Sequence, residues 1–479
     1  MSSERSAIIL AAGLGTRMKS SKPKVLHEVL GRSLVGHVLR SVKAVGPQRQ
    51  IVVVGAAADQ VRAHLAEVAP EATTVFQDKQ LGTGHAVQVA MDANPDLTGT
   101  VIVAFGDAPL LRSTSIAELV EVHEKKGNAV TVLTAVVDDP TGLGRIVRDN
   151  EGNVLRNVEH RDADADELAI REINSGTFAV DAQVLREQLA RLSTANDQGE
   201  YYLTDIIELA REAGHAVGAV VVDDPTETLG CNDRAQLADL RRILQGRINT
   251  ELMKSGVTMD DPATTWIDAT AKVAPDVHLH PNVQLKGATA VDSGAEIGPD
   301  TTLTDTIVGA DAVVVRSHAD QSHISEGAHV GPFAHLRPAS KLAENAKIGA
   351  FVETKNAEIG AGAKAAHLAY LGDVTVGAEA NIGCGVIVVN YDGVQKHRTE
   401  IGEGAFIGCD AVLVSPVNIG DGAYVAAGST IVKDVAPGDL AVARARQTSI
   451  GNWVARKRPG TVSDKAARRA KGEAGVSEA

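Results

Sequence analysis

Aliphatic residues recur every six positions through the second half of this 479-residue chain. They stand at Val273, Leu279, Leu285, Val291, Ile297 and Leu303, and the register returns at Ile324, Val330, Leu336, Leu342 and Ile348. A third run holds Val376, Ile382 and Val388, and a fourth Ile401, Ile407, Leu413, Ile419, Val425 and Ile431. Glycine often follows, as in Ile297-Gly298, Ile348-Gly349, Ile382-Gly383 and Ile407-Gly408. A period of six fits neither the α-helix nor the coiled coil. It describes a short flat strand, a corner that takes a small residue, and another flat strand. Three flats close a turn of about 18 residues, so residues 273–436 make about nine turns of a hexapeptide β-helix filled with methyl groups. One interruption breaks the pattern. From Val388 to Ile401 the step is thirteen rather than twelve, and Asn390-Tyr391-Asp392-Gly393-Val394-Gln395-Lys396 is polar. A polar loop extruded from a solenoid is where binding residues tend to sit.

The first half is built differently. Residues 7–11, 50–54, 101–105 and 130–136 read as buried strands, with helical patterns at 33–45, 59–68, 113–126 and 182–191. Strand and helix in alternation favour an α/β, Rossmann-like sheet of mostly parallel strands. Residues 233–254 then form one charged amphipathic helix with Leu237, Leu240, Ile243, Leu244, Ile248 and Leu252 on its stripe. The expected organisation is therefore an α/β domain over 1–232, a linker helix over 233–255, a β-helix domain over 256–456, and a polar tail over 457–479 expected to be disordered.

Composition narrows the function classes. Against 47 basic side chains stand 61 acidic ones, a net charge of −14 that argues against a general nucleic-acid or anionic-membrane binder. Cys231, Cys384 and Cys409 lie far apart without a CxxC pairing, which disfavours a disulfide scaffold or zinc–cysteine cluster and fits a reducing compartment. The apolar run at 7–12 is too short for a signal-peptide core, and no stretch approaches the roughly 20 apolar residues of a spanning helix. A soluble, cytoplasmic protein without a membrane partner is expected.

The first strand runs into Leu10-Ala11-Ala12-Gly13-Leu14-Gly15-Thr16-Arg17-Met18, followed by Pro23-Lys24. The third glycine of a dinucleotide fingerprint is replaced by Met18, and no P-loop is present. Glycines after a buried strand still let backbone N–H groups approach a phosphate, and Arg17 and Lys24 supply positive charge. Taken alone, these residues fit nucleotide binding and an ordinary strand-turn about equally. An aspartate at a strand end, such as Asp107, is by itself more often a turn residue than a metal ligand. His85 sits among small residues, which favours a packed side chain over a catalytic one.

The glycine run resembles the signature of sugar-1-phosphate nucleotidyltransferases. With the hexapeptide solenoid, residues 7–453 resemble the bifunctional N-acetylglucosamine-1-phosphate uridyltransferase / glucosamine-1-phosphate acetyltransferase family. The resemblance implies that Leu10, Ala11, Ala12 and Gly13 line a uridine and phosphate pocket, with the cations Arg17 and Lys24 acting on the phosphates. Gln77, Gly82 and Thr83 would read the uracil, beside Phe105 and Gly106. Asp107 and Asn232 would hold Mg²⁺, a hard cation suited to one carboxylate and one amide oxygen. Gly144, Glu159 and Asn174 would bind the N-acetylated sugar. The family usually carries Tyr at Phe105, a change that costs little if the backbone makes the contact.

In the solenoid, the resemblance makes His367 the general base that takes a proton from the amine of glucosamine 1-phosphate as it attacks acetyl-CoA, a role suited to imidazole. Arg337, Lys355, Tyr370, Asn381 and Lys396 would hold the sugar phosphate. Cys384, Asn390, Tyr391, Cys409, Ala427 and Arg444 would contact acetyl-CoA. Two positions depart from the family pattern: Cys384 stands where alanine is expected and Cys409 where serine is. The resemblance further implies a homotrimer and a left-handed coil. The implied reaction sequence acetylates glucosamine 1-phosphate, then transfers uridylyl from UTP to N-acetylglucosamine 1-phosphate. The alternatives are a single-activity nucleotidyltransferase whose β-helix only oligomerises or regulates, and a non-catalytic scaffold.

Overall fold

A computed structural model describes residues 4–473. The chain divides into two compact units, Met1–Asn345 and Ala346–Ala479, and the division falls within the six-residue repeats. The first unit holds the α/β fold and the earlier coils, and the second holds the later coils.

The α/β fold comprises β1 (Arg5–Ala11), α1 (Leu34–Lys43), β2 (Arg49–Val54), α2 (Ala58–Val68), β3 (Thr73–Phe76), α3 (Thr83–Asp92), β4 (Thr100–Phe105), α4 (Ser113–Lys126), β5 (Val130–Val136), β6 (Arg145–Arg148), β7 (Val154–Val158), β8 (Glu172–Asp181), α5 (Ala182–Leu189), α6 (Ile206–Glu212) and β9 (Val217–Val221). The sheet order is β9-β5-β8-β4-β1-β2-β3, with β6 and β7 as a flap off β8. The strands β1 to β4 run parallel, while β8 enters antiparallel between β4 and β5. The near-continuous apolar strands follow from burial on both faces. Ile9, Val52 and Ile102 pack with Val35 and Val38 of α1 and Leu119 of α4. Ile8, Val53 and Val103 face the other way, with Val87 of α3, Leu185 of α5 and Ile206 of α6. The strand order reverses direction between β1 and β4, the position where open α/β sheets leave a crevice at their carboxyl ends. Periodicity overlooked β3, β6, β7, β8 and β9, which are short, edge-lying or rich in polar residues.

Helix α7 (Arg234–Lys254) starts at Asp233, whose side chain accepts from the Gln236 N–H at 2.8 Å. It is more than a spacer. Leu237 and Leu240 are buried against Met18, Val29, Leu30, Leu34 and Leu110. Gln245 and Asn249 are also buried, and their amides donate to the Thr265 carbonyl at 2.7 and 2.9 Å. The helix is thereby hydrogen-bonded to the segment that opens the first coil.

The repeat positions fold as parallel rungs. In the first unit Leu279 pairs with Ile297 and Leu285 with Leu303, each on the coil that follows, while Val308 pairs with Ile324 over a shorter step. Corners are turned in the left-handed region, and polar residues serve at many of them: Asp276, Asn282, Asp300 and Asp311 all have positive φ. Short Asn and Asp side chains tolerate that conformation best among residues with a Cβ. In the second unit Ile401 pairs with Ile419 on one side and with Val376 on the other, and the step back to Val376 is the longer of the two. The extruded polar loop accounts for the excess.

The expected disordered tail is corrected in part. Trp453–Lys457 and Val462–Ala470 are helical, and Thr461 caps the second by accepting from the Asp464 N–H at 3.3 Å. Alanine and arginine favour helix here, a local propensity that overall polarity concealed. The expectation for residues 474–479 lies outside the described residues.

Candidate functional sites

The crevice beside β1 is a cleft of about 300 Å³. Leu10, Ala11, Ala12, Gly13, Lys24, Gln77, Gly82, Thr83, Phe105 and Asp107, all selected from the sequence, line it. The glycine loop determines how Lys24 enters. Gly15 has φ near 60°, and a Cβ there would stand 2.5 Å from the Lys24 Cβ, so only glycine allows this approach. The Lys24 ammonium is then paired with Asp107 Oδ2. Gly106 donates its N–H to the Leu10 carbonyl at 2.9 Å, joining the ends of β1 and β4.

Asn232 is held close to this group through the chain beside it. The Cys231 N–H donates to the Asp107 carbonyl at 3.1 Å, and Arg17 donates to Asn232 Oδ1 at 2.8 Å. Each of the two sequence-selected oxygen ligands is thus already satisfied by a cationic side chain. A carboxylate and an amide oxygen that both attract positive charge form the hard donor set a divalent cation of the magnesium type takes. The Cys231 thiol is buried, which pushes it up to about 11, with the Asp107 carboxylate adding to the effect.

A second cluster borders β6, β7 and β8. The Asn174 N–H donates to the Gly144 carbonyl at 3.1 Å, and Glu159 accepts from Asn157 at 2.9 Å and from Thr204 at 3.4 Å. A Cβ built on Gly144 would stand 3.1 Å from Glu159 Oε1, so Gly144, Glu159 and Asn174 lie in one cluster. Burial raises the Glu159 carboxyl above its ordinary range. Burial, reinforced by Glu159, pushes neighbouring Asp205 up to about 6.

Sequence reasoning passed over three contributors. His85 meets the Gln77 amide at 3.0 Å and orients it, Gln80 donates to the Ala12 carbonyl at 2.5 Å, and Glu200 lines the cleft. His85 is thus more than a packed side chain. The signal for it lies in the sequence, just after Gly82-Thr83 on the first turn of α3.

In the second unit, backbone register builds a column. Ala365 pairs with Ile382, Ile382 with Ile407, and Ile407 with Val425. Two residues beyond each, His367, Cys384, Cys409 and Ala427 therefore occupy one corner on four successive coils. Backbone bonds fix their spacing: Gly385 N–H to the Leu368 carbonyl at 3.1 Å, Asp410 to Cys384 at 2.7 Å, and Gly428 to Cys409 at 2.8 Å. His367 and Cys409 are exposed, and Cys384 is half-buried. Asn381 lies on the adjacent flat of this column, where it pairs with Lys364 and Phe406.

The extruded loop is a tight hairpin. Tyr391 bridges to Lys396, and the His397 N–H donates to the Asn390 carbonyl at 2.8 Å. Asp392 accepts from the N–H groups of Val394 and Gln395, both at 2.7 Å, and meets His397 at 2.7 Å. These contacts hold its carboxyl low, at about 2. Asn390 is buried and donates to Asp373, which also accepts from Asn356 at 2.7 Å. A Cβ built on Gly372 would stand 2.5 Å from the Tyr370 hydroxyl and 2.9 Å from the Asn390 amide, which brings Tyr370 to the same place. Lys355 pairs in register with Gly372 on the coil alongside. Arg444 is exposed, just after Ala443, whose N–H donates to Ser429 at 3.2 Å. Arg337 belongs to the first unit.

Comparison with known proteins places both halves. Residues 7–165 match the model of the MobA-like NTP transferase domain, and residues 398–433 match the bacterial transferase hexapeptide model. The bifunctional protein GlmU of Streptomyces avermitilis is 52% identical over 462 residues, covering 96% of each chain. The GlmU of Streptomyces coelicolor is 53% identical with the same coverage, and that of Thermobifida fusca is 51% identical over 98% of this chain and 99% of its own. The glycine-loop cleft, the hexapeptide column and these relatives agree, and the chain belongs to the family of bifunctional GlmU proteins.

Proposed function

We propose that this bifunctional transferase works through the residues gathered at the cleft and at the column. The protein makes UDP-N-acetylglucosamine, by acetyl transfer from acetyl-CoA to glucosamine 1-phosphate and then uridylyl transfer from UTP to N-acetylglucosamine 1-phosphate. The carrying observation is that two separate clusters exist, a cationic glycine-loop cleft and an exposed imidazole heading a stack of small side chains.

In the first reaction the glucosamine amine attacks the acetyl carbonyl, the C–S bond breaks and coenzyme A leaves as thiolate. His367 takes the proton the amine loses. Lys355, Tyr370, Asn381 and Lys396 bind the anionic sugar. Asn390, Tyr391, Cys384, Cys409, Ala427 and Arg444 hold acetyl-CoA. The small side chains of the column leave room along the coils, and Arg444 answers the coenzyme's phosphates. In the second reaction a sugar-phosphate oxygen attacks the α-phosphorus of UTP and pyrophosphate departs. Two anions must meet, so positioning and charge neutralisation dominate. Lys24 and Arg17 face the phosphates, while Gln77, Gly82 and Thr83 read the base and Gly144, Glu159 and Asn174 the sugar. Asp107 and Asn232 would hold Mg²⁺, which when bound neutralises phosphate charge. A homotrimer and a cytoplasmic location belong to the same proposal and are supported by the family resemblance. No described helix is long and apolar enough to cross a membrane.

The deciding experiment supplies glucosamine 1-phosphate, acetyl-CoA, UTP and Mg²⁺ to Asp107→Ala and His367→Ala proteins. Asp107→Ala accumulates N-acetylglucosamine 1-phosphate. His367→Ala loses about 10²–10⁴-fold in acetyl transfer yet still uridylylates supplied N-acetylglucosamine 1-phosphate. One substitution abolishing both steps in folded protein overturns the two-site assignment.

A further inference from the structure

A third group of chemically active side chains lies on the outer face of the earliest coils, within the first unit. Asp260, His278 and His280 are, among the described residues, the one trio of acidic, thiol or imidazole groups whose potential ligand atoms all lie within 4.8 Å of one another. They meet because the rungs are stacked. Thr258 pairs with His278, and His278 with Glu296 one coil further on. Leu279 points into the core between the two histidines, so both imidazoles face outward on the same flat.

Proton bookkeeping makes the arrangement unusual. His280 directs Nδ1 at Asp260 Oδ2, 2.8 Å away, and Nε2 at Glu296 Oε1, 2.9 Å away. A neutral imidazole has one N–H and can satisfy only one of these oxygens. The other oxygen of Asp260 lies 2.8 Å from His278 Nε2. The two rings stack with centroids 4.3 Å apart. One added proton, on His280, would serve both of its carboxylate neighbours, whereas a cation shared by the three groups serves them with both rings neutral.

We propose that Asp260, His278 and His280 form a binding site for a divalent transition ion of the zinc class, which clamps the first coils of the β-helix together. Two imidazole nitrogens and one carboxylate oxygen are a zinc, nickel or copper donor set, distinct from the all-oxygen sets of magnesium and calcium. Zinc ligands at about 2.0–2.1 Å in tetrahedral directions stand roughly 3.3 Å apart, a spacing that lies between the 2.8 Å pairs each histidine makes with its own Asp260 oxygen and the 4.8 Å that encloses all three ligand atoms. Glu296 then accepts the remaining N–H of His280, the outer-shell carboxylate that fixes the tautomer of a metal-bound histidine. Half-exposed surroundings leave the last coordination position to water. The ligands come from consecutive coils, so the ion ties the terminal coil, which has a neighbouring coil on one side only, to the next. This site uses none of the residues assigned to either transfer reaction.

The test titrates chelator-treated, full-length protein with Zn²⁺ against a chromophoric chelator. Wild-type protein is expected to hold one Zn²⁺ that is lost, or weakened about tenfold or more, in Asp260→Asn, His278→Gln and His280→Gln, while His323→Gln at another exposed imidazole changes nothing. Equal zinc affinity in wild type and the His278→Gln/His280→Gln double variant overturns the proposal and leaves a hydrogen-bonded ladder. Should the variants unfold, wild-type protein loaded with one equivalent of Cu²⁺ decides: its electron paramagnetic resonance spectrum should show coupling to two imidazole nitrogens. Coupling to none or one refutes the site.

Discussion

The cleft beside β1 and the corner column of the later coils position their groups by different means. In the cleft, side chains hold side chains: Lys24 on Asp107, Arg17 on Asn232, Gln77 on His85. Cys231 beside it is buried, Glu159 and Asp205 of the neighbouring cluster are half-buried, and their proton affinities move accordingly. In the column, the backbone ladder does the positioning, and His367, Cys384, Cys409 and Ala427 recur because each coil repeats the last. Side chains there are exposed or half-exposed, so substitution is tolerated structurally while reagents have access. The first site is thus sensitive to charge and burial, and the second to access.

Thiol chemistry provides the sharpest break between them. Cys409 is exposed and Cys384 half-buried in the column, whereas Cys231 beside the cleft is fully buried and pushed up to about 11, which makes it a poor nucleophile. A maleimide should therefore reduce acetyl transfer by about tenfold or more and leave uridylyl transfer within about twofold. A Cys384→Ala/Cys409→Ser protein should keep acetyl transfer and resist the reagent. Inhibition of both activities alike, or of neither, removes the contrast in access.

Legibility in the sequence follows the same division. The β-helix could be read because a core residue every six positions is an integer pattern, and burial of Leu279, Ile297, Leu303, Ile407 and Leu413 follows from it. The register that stacks His367 over Cys384 could not be read in the same way, because the coils are of unequal length. Val308 reaches Ile324 over a shorter step than Ile401 reaches Ile419, and Val376 meets Ile401 only past the extruded loop. In the α/β fold the strands buried on both faces were visible as apolar runs. β8 was not, since Asn174, Ser175 and Gly176 interrupt its apolar run just where its pairing with β5 shifts register. Gln245 and Asn249, which couple α7 to the first coil, were hidden because polar residues on a helix stripe normally signal solvent. The tail helix was concealed by the same averaging of composition.

Charge and burial in the cleft's surroundings give stability a pH dependence. Burial, then Glu159, Glu208 and Asp162, raise Asp205 from 3.8 to about 6 in the folded protein. Between those values the native state retains a proton that the unfolded chain has released, so stability falls as pH rises through the window and stays lower above it. Asp205 is partly exposed, and solvent screening reduces the effect to about 1 kcal/mol. Asp205→Asn should accordingly slow hydrogen exchange in β7 and β8 at pH 8 and have no effect below pH 4. Exchange in residues 399–431 should not respond at either pH. A stabilisation that is the same at both pH values would mean that charge is not its source.

The smallest expected effect tests whether the cleft ever borrows the column's backbone logic. Phe105 closes β4 in register with Leu10, and Gly106 ties the two strand ends together. The ring lies on Gly176, where φ is +76° and a Cβ would stand 2.1 Å from Cε2, so its position is set by packing against bare backbone. A hydroxyl added at Cζ leaves that packing and the strand-end hydrogen bond in place. Phe105→Tyr should then change kcat/KM for uridylyl transfer by less than about twofold, within about 0.5 kcal/mol. A tenfold change in either direction would show that the edge of the ring takes part in the cleft, and the backbone would no longer account for this position.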